Sequence, residues 1–199
     1  MHYPIHLNLE KLEVVIIGGG SIAYRKCQFF LEINKKVTVV TKEISCEFKG
    51  IQNQLTLILD AYKEDYLKDA FIVIAATNDP MLNQNIAQYC LKHQKLVNVV
   101  DDAKLSNFII PATLKRGDLL FSVATGGNSP SLAAKIKKEL AITYDETYER
   151  YVFLLGQGRQ HILTTVADPL VKKQKLNQLI NLSLEELEAL YDDTPHCQS

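Results

Sequence analysis

The stretch "VVIIGGGSIAYRK", residues 14–26, constrains this chain more than any other. An apolar, β-rich run at residues 12–17 ends at once in Gly18, Gly19 and Gly20. A segment with Ala23, Cys27, Phe30 and Leu31 on one helical stripe follows. Passing from strand to helix over so few residues requires small side chains, for three reasons. The chain must turn tightly, its backbone must come close to a bound pyrophosphate, and the helix must lie close to the sheet. Amide N–H groups at the helix start and the helix dipole then attract phosphate. The spacing G-x-G-x-x-A, with Ala23 in the last place, points to a dinucleotide because a strand precedes it and a helix follows. A purely structural turn is the competing reading.

The following segments extend this unit. "KVTVV" (36–40), "LTLIL" (55–59), "AFIVIAA" (70–76) and "KLVNVV" (95–100) read as strands, and their continuous apolar character suits a parallel sheet covered on both faces. Between the last two lies a helix with Asp79 as N-cap, Pro80 at its first position, and Leu82, Ile86 and Tyr89 on one face. Alternating strands and helices predict an α/β fold with a Rossmann-like, doubly wound parallel sheet over residues 1–112. Residues 113–144 then carry a strand at 118–125, the turn "GGNSP", and a helix capped by Ser129 with Pro130 behind it. Residues 145–199 read as a helical C-terminal part, with a capping box at Ser183 and Glu186 and a frayed end, "TPHCQS".

Composition excludes several classes. A net charge of −1 gives no electrostatic case for nucleic acid. The apolar runs are too short to span a bilayer, and the N-terminal residues lack the pattern of a signal peptide. The four cysteines, Cys27, Cys46, Cys90 and Cys197, are irregularly spaced, and the histidines are scattered, so no metal site is expected. Idle thiols in a reducing cytoplasm are the expectation.

Candidate site residues gather at strand ends. The acid that binds ribose hydroxyls is expected after the second strand, where Thr41 and Lys42 stand and Glu43 comes slightly late. Lys42 would suit a 2′-phosphate, so spacing leaves NAD against NADP open. Thr77 ends the fourth strand among small residues, which suits either a cofactor lying on the backbone or close helix packing. Thr125, Gly126, Gly127, Asn128 and Ser129 precede a helix, as an anion site or simply a capped turn. Asp101 and Asp102 end the fifth strand, and spacing alone does not choose between them.

Taken together, G-G-G-x-I-A-x-R-K, "NVVD", "FIIP" and "GGNSP" occur in an order that resembles the precorrin-2 dehydrogenase family, which also forms the N-terminal module of siroheme synthase. The resemblance covers about residues 3–140. It implies an NAD-dependent oxidation of precorrin-2 to sirohydrochlorin, carried out by a homodimer with residues 113–144 as the dimerisation region. By motif it assigns the essential aspartate to Asp101 and the cofactor turn to Gly18, Gly19, Gly20, Ser21 and Ile22, with Lys42 and Glu43 in the following loop. Thr125 occupies a position where some relatives carry serine. The tetrapyrrole's carboxylates call for cations and donors, for which Arg25, Lys26, Lys115, Arg116, Asn128 and Ser129 are candidates. Some members also insert ferrous iron, so a bifunctional enzyme is the alternative, and a non-catalytic nucleotide sensor is the alternative of another class. The methyltransferase module of longer siroheme synthases is not expected in this chain.

Overall fold

In a computed structural model that describes residues 3–191, the apolar runs form a five-stranded parallel sheet. Its strands are β1 (Glu13–Ile17), β2 (Thr38–Thr41), β3 (Thr56–Leu59), β4 (Ala70–Ala75) and β5 (Leu96–Val99), in the order β3-β2-β1-β4-β5. In the centre of the sheet, Ile17 of β1 pairs with Val40 on one side and Ala75 on the other. Side chains alternate across a strand. Val14 and Ile16 therefore enter one core with helix α1 (Ser21–Glu32), while Val15 and Ile17 enter the other with helix α2 (Pro80–Lys92). Burial on both faces explains why the strand reads as an unbroken apolar run. Each such side chain contributes roughly 1.5–3 kcal/mol on burial.

The outer crossovers depart from strict alternation. Instead of α-helices, 3₁₀ turns at Cys46–Gly50, Gln52–Gln54 and Glu64–Leu67 connect β2 to β3 and β3 to β4. Single large side chains, Phe48 and Leu67, fill the space a helix would occupy. Helix α2 starts as expected: the Asp79 carboxylate accepts from the amides of Met81 (2.9 Å) and Leu82 (3.1 Å). Its buried face is rotated slightly from the predicted stripe and includes Asn83, Ile86, Ala87 and Cys90.

The chain divides between Ile110 and Pro111 into two compact units. The second contains an antiparallel hairpin of β6 (Ala112–Arg116) and β7 (Leu119–Val123), then helices α3 (Pro130–Thr143), α4 (Thr147–Thr165), α5 (Pro169–Leu179) and α6 (Leu184–Tyr191). Strand β6 was not expected, because "ATLKR" buries only Leu114 and carries little apolar signal. The capping box forms: Glu186 accepts from the Ser183 amide (2.7 Å), and Ser183 accepts from that of Glu186 (3.2 Å). Leu154, Ile162, Leu179 and Leu187 make the helical core. Cys27 and Cys90 are buried free thiols, pushed up to about 12 and about 11 by desolvation, which keeps them protonated and inert. The "TPHCQS" end, with Cys197, lies outside the described residues.

Candidate cofactor and catalytic site

Strand order reverses between β1 and β4, so the segments leaving their C-terminal ends diverge to opposite faces and open a crevice. Gly18 holds φ +125°, and a Cβ on it would lie 2.2 Å from the Ala76 carbonyl oxygen. A Cβ on Gly19 would lie 2.1 Å from the Glu43 carbonyl oxygen. Both glycines are thus required by the protein's own backbone. Gly20 differs, since a Cβ there meets no atom within 4 Å. It is the N-cap of α1 and offers no side chain to the first-turn amides, and no acid stands in that turn. Those amides have no partner within the helix. The open space over Gly20 and the free donors behind it fit a pyrophosphate.

The crevice measures about 530 Å³, within the range of small-molecule sites. Gly18, Gly19, Gly20, Lys42, Glu43 and Thr77 all line it, while Ser21 and Ile22 open α1 and are exposed. The Thr41 hydroxyl donates to the Glu43 carbonyl (2.7 Å) and shapes the loop after β2. Asp60, at the end of β3, also lines the crevice; its signal in the sequence is that it follows "LTLIL" as directly as Asp101 follows "KLVNVV". Hydrogen bonds from Lys63 first, and Tyr66 second, hold its carboxyl down at about 2.

Thr77 links this crevice to the aspartate. Its amide (3.2 Å) and hydroxyl (2.7 Å) both reach the Asn83 side-chain oxygen. The Asn83 amide nitrogen donates to the Thr77 carbonyl (3.1 Å) and to both carboxylate oxygens of Asp101 (3.3 and 3.4 Å). Asp101 is exposed on a smaller pocket of about 290 Å³ that Pro80, Gln84 and Asp102 also line. The adjacent carboxylates have different surroundings. Asp102 is half-buried and accepts from the Lys104 amide (2.8 Å), capping a 3₁₀ turn at Ala103–Leu105. Asn83 was missed in the sequence, where a polar residue among Leu82, Ile86 and Cys90 was the available signal.

In the second unit, Thr125, Asn128 and Ser129 share one turn. The Thr125 hydroxyl accepts from the Ser129 amide (3.1 Å), the Thr125 carbonyl accepts from the Asn128 amide (3.1 Å), and Ser129 caps α3 through the Leu132 amide (3.3 Å). Lys115 is exposed on β6. Arg116 is engaged within the unit: its guanidinium donates to the carbonyls of Tyr144 (3.1 Å) and Lys115 (3.0 Å) and pairs with Glu146 (3.3 Å). In the first unit Lys26 is half-buried on α1, with its pKa lowered by desolvation and then by Arg25. Among the described residues no group of three or more His, Cys, Asp or Glu gathers, and no helix is long and apolar enough to cross a membrane.

Residues 5–112 match a family described as putative NAD(P)-binding, which covers the whole sheet and its crevice. The chain is 40% identical over 146 residues to a precorrin-2 dehydrogenase of Bacillus subtilis, covering 72% of this chain and 86% of that protein. A precorrin-2 dehydrogenase of Priestia megaterium is 32% identical over 181 residues, covering 90% and 89%. The chain belongs to the precorrin-2 dehydrogenase family. A solved structure of SirC, described as a precorrin-2 dehydrogenase, superposes with a TM-score of 0.82 at 31% identity over 96% of this chain and 97% of that one. The siroheme synthase of Nitrosomonas eutropha matches at 34% over 167 residues, and the chain spans about a third (35%) of its length. Among precorrin-2 dehydrogenases, therefore, similarity covers both units, and the crevice falls within the nucleotide-binding match.

Proposed function

We infer that this chain oxidises precorrin-2 to sirohydrochlorin with NAD, in siroheme synthesis. One observation carries the reading: an exposed carboxylate, Asp101, follows the strand next to the cofactor crevice and is joined to it through Asn83 and Thr77. The first-turn amides of α1 at Gly20, Ser21 and Ile22 would hold the pyrophosphate, with Gly18 and Gly19 forming the turn. Lys42 and Glu43, in the loop after β2, and Thr77, after β4, line the same crevice and would contact the rest of the cofactor. When bound, NAD would supply the acceptor for the hydride that a ring carbon of the tetrapyrrole loses. Asp101 accepts the accompanying proton, so the substrate loses two hydrogens in all and the charges balance. Thr125, Asn128, Ser129 and Lys115 serve the substrate's carboxylates. Arg116, with three of its five guanidinium N–H donors engaged within the unit, braces that strand and has donors left for the substrate. The enzyme acts as a cytoplasmic homodimer.

Anaerobic incubation with precorrin-2 and NAD tests the reading, followed by the absorbance of sirohydrochlorin and then by addition of ferrous iron. Oxidation of precorrin-2 is expected. Asp101→Ala should lose roughly 10²- to 10⁴-fold in kcat while still binding NAD, the range for removal of a general base. Full turnover by that variant would overturn the assignment.

A further inference from the structure

We propose that Asn83 is a positioning residue that aims the Asp101 carboxylate and ties its orientation to the cofactor crevice through Thr77. The proposal rests on Asp101 being the general base. Asn83 is 1% exposed, the one buried polar side chain among the described residues. A buried amide is retained at such a position only where its hydrogen bonds are satisfied.

The orientation of this amide follows from its partners. Its oxygen faces the Thr77 backbone N–H, which can only donate. Its nitrogen faces a backbone carbonyl and a carboxylate, which accept. Reversing the amide would set acceptor against acceptor on one side and donor against donor on the other. The nitrogen therefore points at Asp101 because the Thr77 turn holds the oxygen. Anchoring α2 to β4 requires only the Thr77 bonds. The nitrogen goes beyond that role, spanning both Asp101 oxygens across eighteen residues of sequence. A carboxylate held through both oxygens is restricted in its rotation, beside the pocket that Pro80, Gln84 and Leu105 also line. The ionisable groups at the near ends of the elements that meet there are Asp79 at the head of α2, Asp102 in its own capping bond, and Lys104 on the 3₁₀ turn; Tyr89, Cys90 and Lys92 lie two turns or more further along α2.

Asn83→Asp and Asn83→Leu test this. The first keeps the size of the side chain and the acceptor for Thr77, but puts a carboxylate oxygen where the donor stood. The second puts an apolar side chain of similar size there and removes both the donor to Asp101 and the acceptor for Thr77. Both changes disfavour the Asp101 anion, by like charge and by loss of a hydrogen bond respectively. The titration of the Asp101 carboxyl, followed by carbon-13 NMR and identified by its absence in Asp101→Ala, should move upward by about one pH unit or more in Asn83→Asp and less in Asn83→Leu. The acid limb of kcat/KM for precorrin-2 oxidation should move with it. Thermal melting of each variant shows that it folds. If Asp101→Ala loses turnover while the titration and the acid limb stay in place in both Asn83 variants, the positioning role alone is overturned. If Asp101→Ala keeps parental turnover, the general-base reading falls, and this proposal falls with it.

Discussion

The chain contains two glycine turns that each lead into a helix, and different physics requires the glycines in each. In the first unit, Gly18 and Gly19 are squeezed, with any Cβ driven to 2.2 and 2.1 Å from carbonyl oxygens of neighbouring strand ends. In the second, Gly126 and Gly127 hold φ +61° and +86°, yet a Cβ on either would meet nothing nearer than 3.7 Å. The first turn is a close approach between strands, required by packing at both glycines, with a positive φ of +125° at Gly18 in addition. The second is a local backbone conformation, required by sterics within a single residue. Gly20 belongs to neither kind, because neither a positive φ nor a neighbouring atom demands it. The contrast shows which glycines serve the fold and which leaves room for a ligand.

Substitutions at these positions sharpen the contrast. Gly19→Ala should have the largest effect, since the Glu43 carbonyl cannot retreat without moving the loop after β2. A loss above ~3 kcal/mol in thermal or denaturant unfolding is expected, with NAD binding abolished. Gly20→Ala should instead melt within about 0.5 kcal/mol of the parent, as surface changes do, while NAD affinity in a fluorescence titration falls by about tenfold or more. A Gly20→Ala variant that binds NAD normally would remove the distinction between the two kinds of glycine in the first turn.

Gly127→Ala should cost about 1–2 kcal/mol, the penalty for a left-handed residue that bears a Cβ, and Gly127→Asn should recover part of it. The helix caps give a smaller difference along the same division. Asp79→Ala removes two amide bonds of 2.9 and 3.1 Å and should cost ~1 kcal/mol. Ser129→Ala removes one of 3.3 Å and should cost about half of that in the same unfolding measurement.

The smallest effect is expected at Asp60. Its folded pKa, about 2, lies below the unfolded value because of Lys63 and then Tyr66. A depressed carboxyl stabilises the fold fully above its unfolded pKa, near 4, and loses that contribution as pH falls toward 2. Between pH 5 and 2 the melting temperature of Lys63→Ala should converge on that of the parent. Parallel curves would show that the pair adds nothing.

Much of the fold was legible because its signals are local. The apolar runs of β1, β4 and β5, the Asp79, Ser129 and Ser183 caps, and the glycine turn each depend on residues within a few positions of one another. The 3₁₀ crossovers and β6 were not legible. The former are held by single side chains such as Phe48, and the latter by its hairpin partner rather than by its own pattern.

The site divides in the same way. By itself the sequence determined the strand–turn–helix that makes a nucleotide crevice and put two carboxylates at the end of β5, because turn sterics and strand periodicity act over short range. Only the tertiary structure decided the rest. It engaged Arg116 with Tyr144 and Glu146, and brought Asn83 between Thr77 and Asp101. The Asn83 contacts depend on the pairing of β5 with β4 and on the docking of α2 beside them, which no run of neighbouring residues encodes.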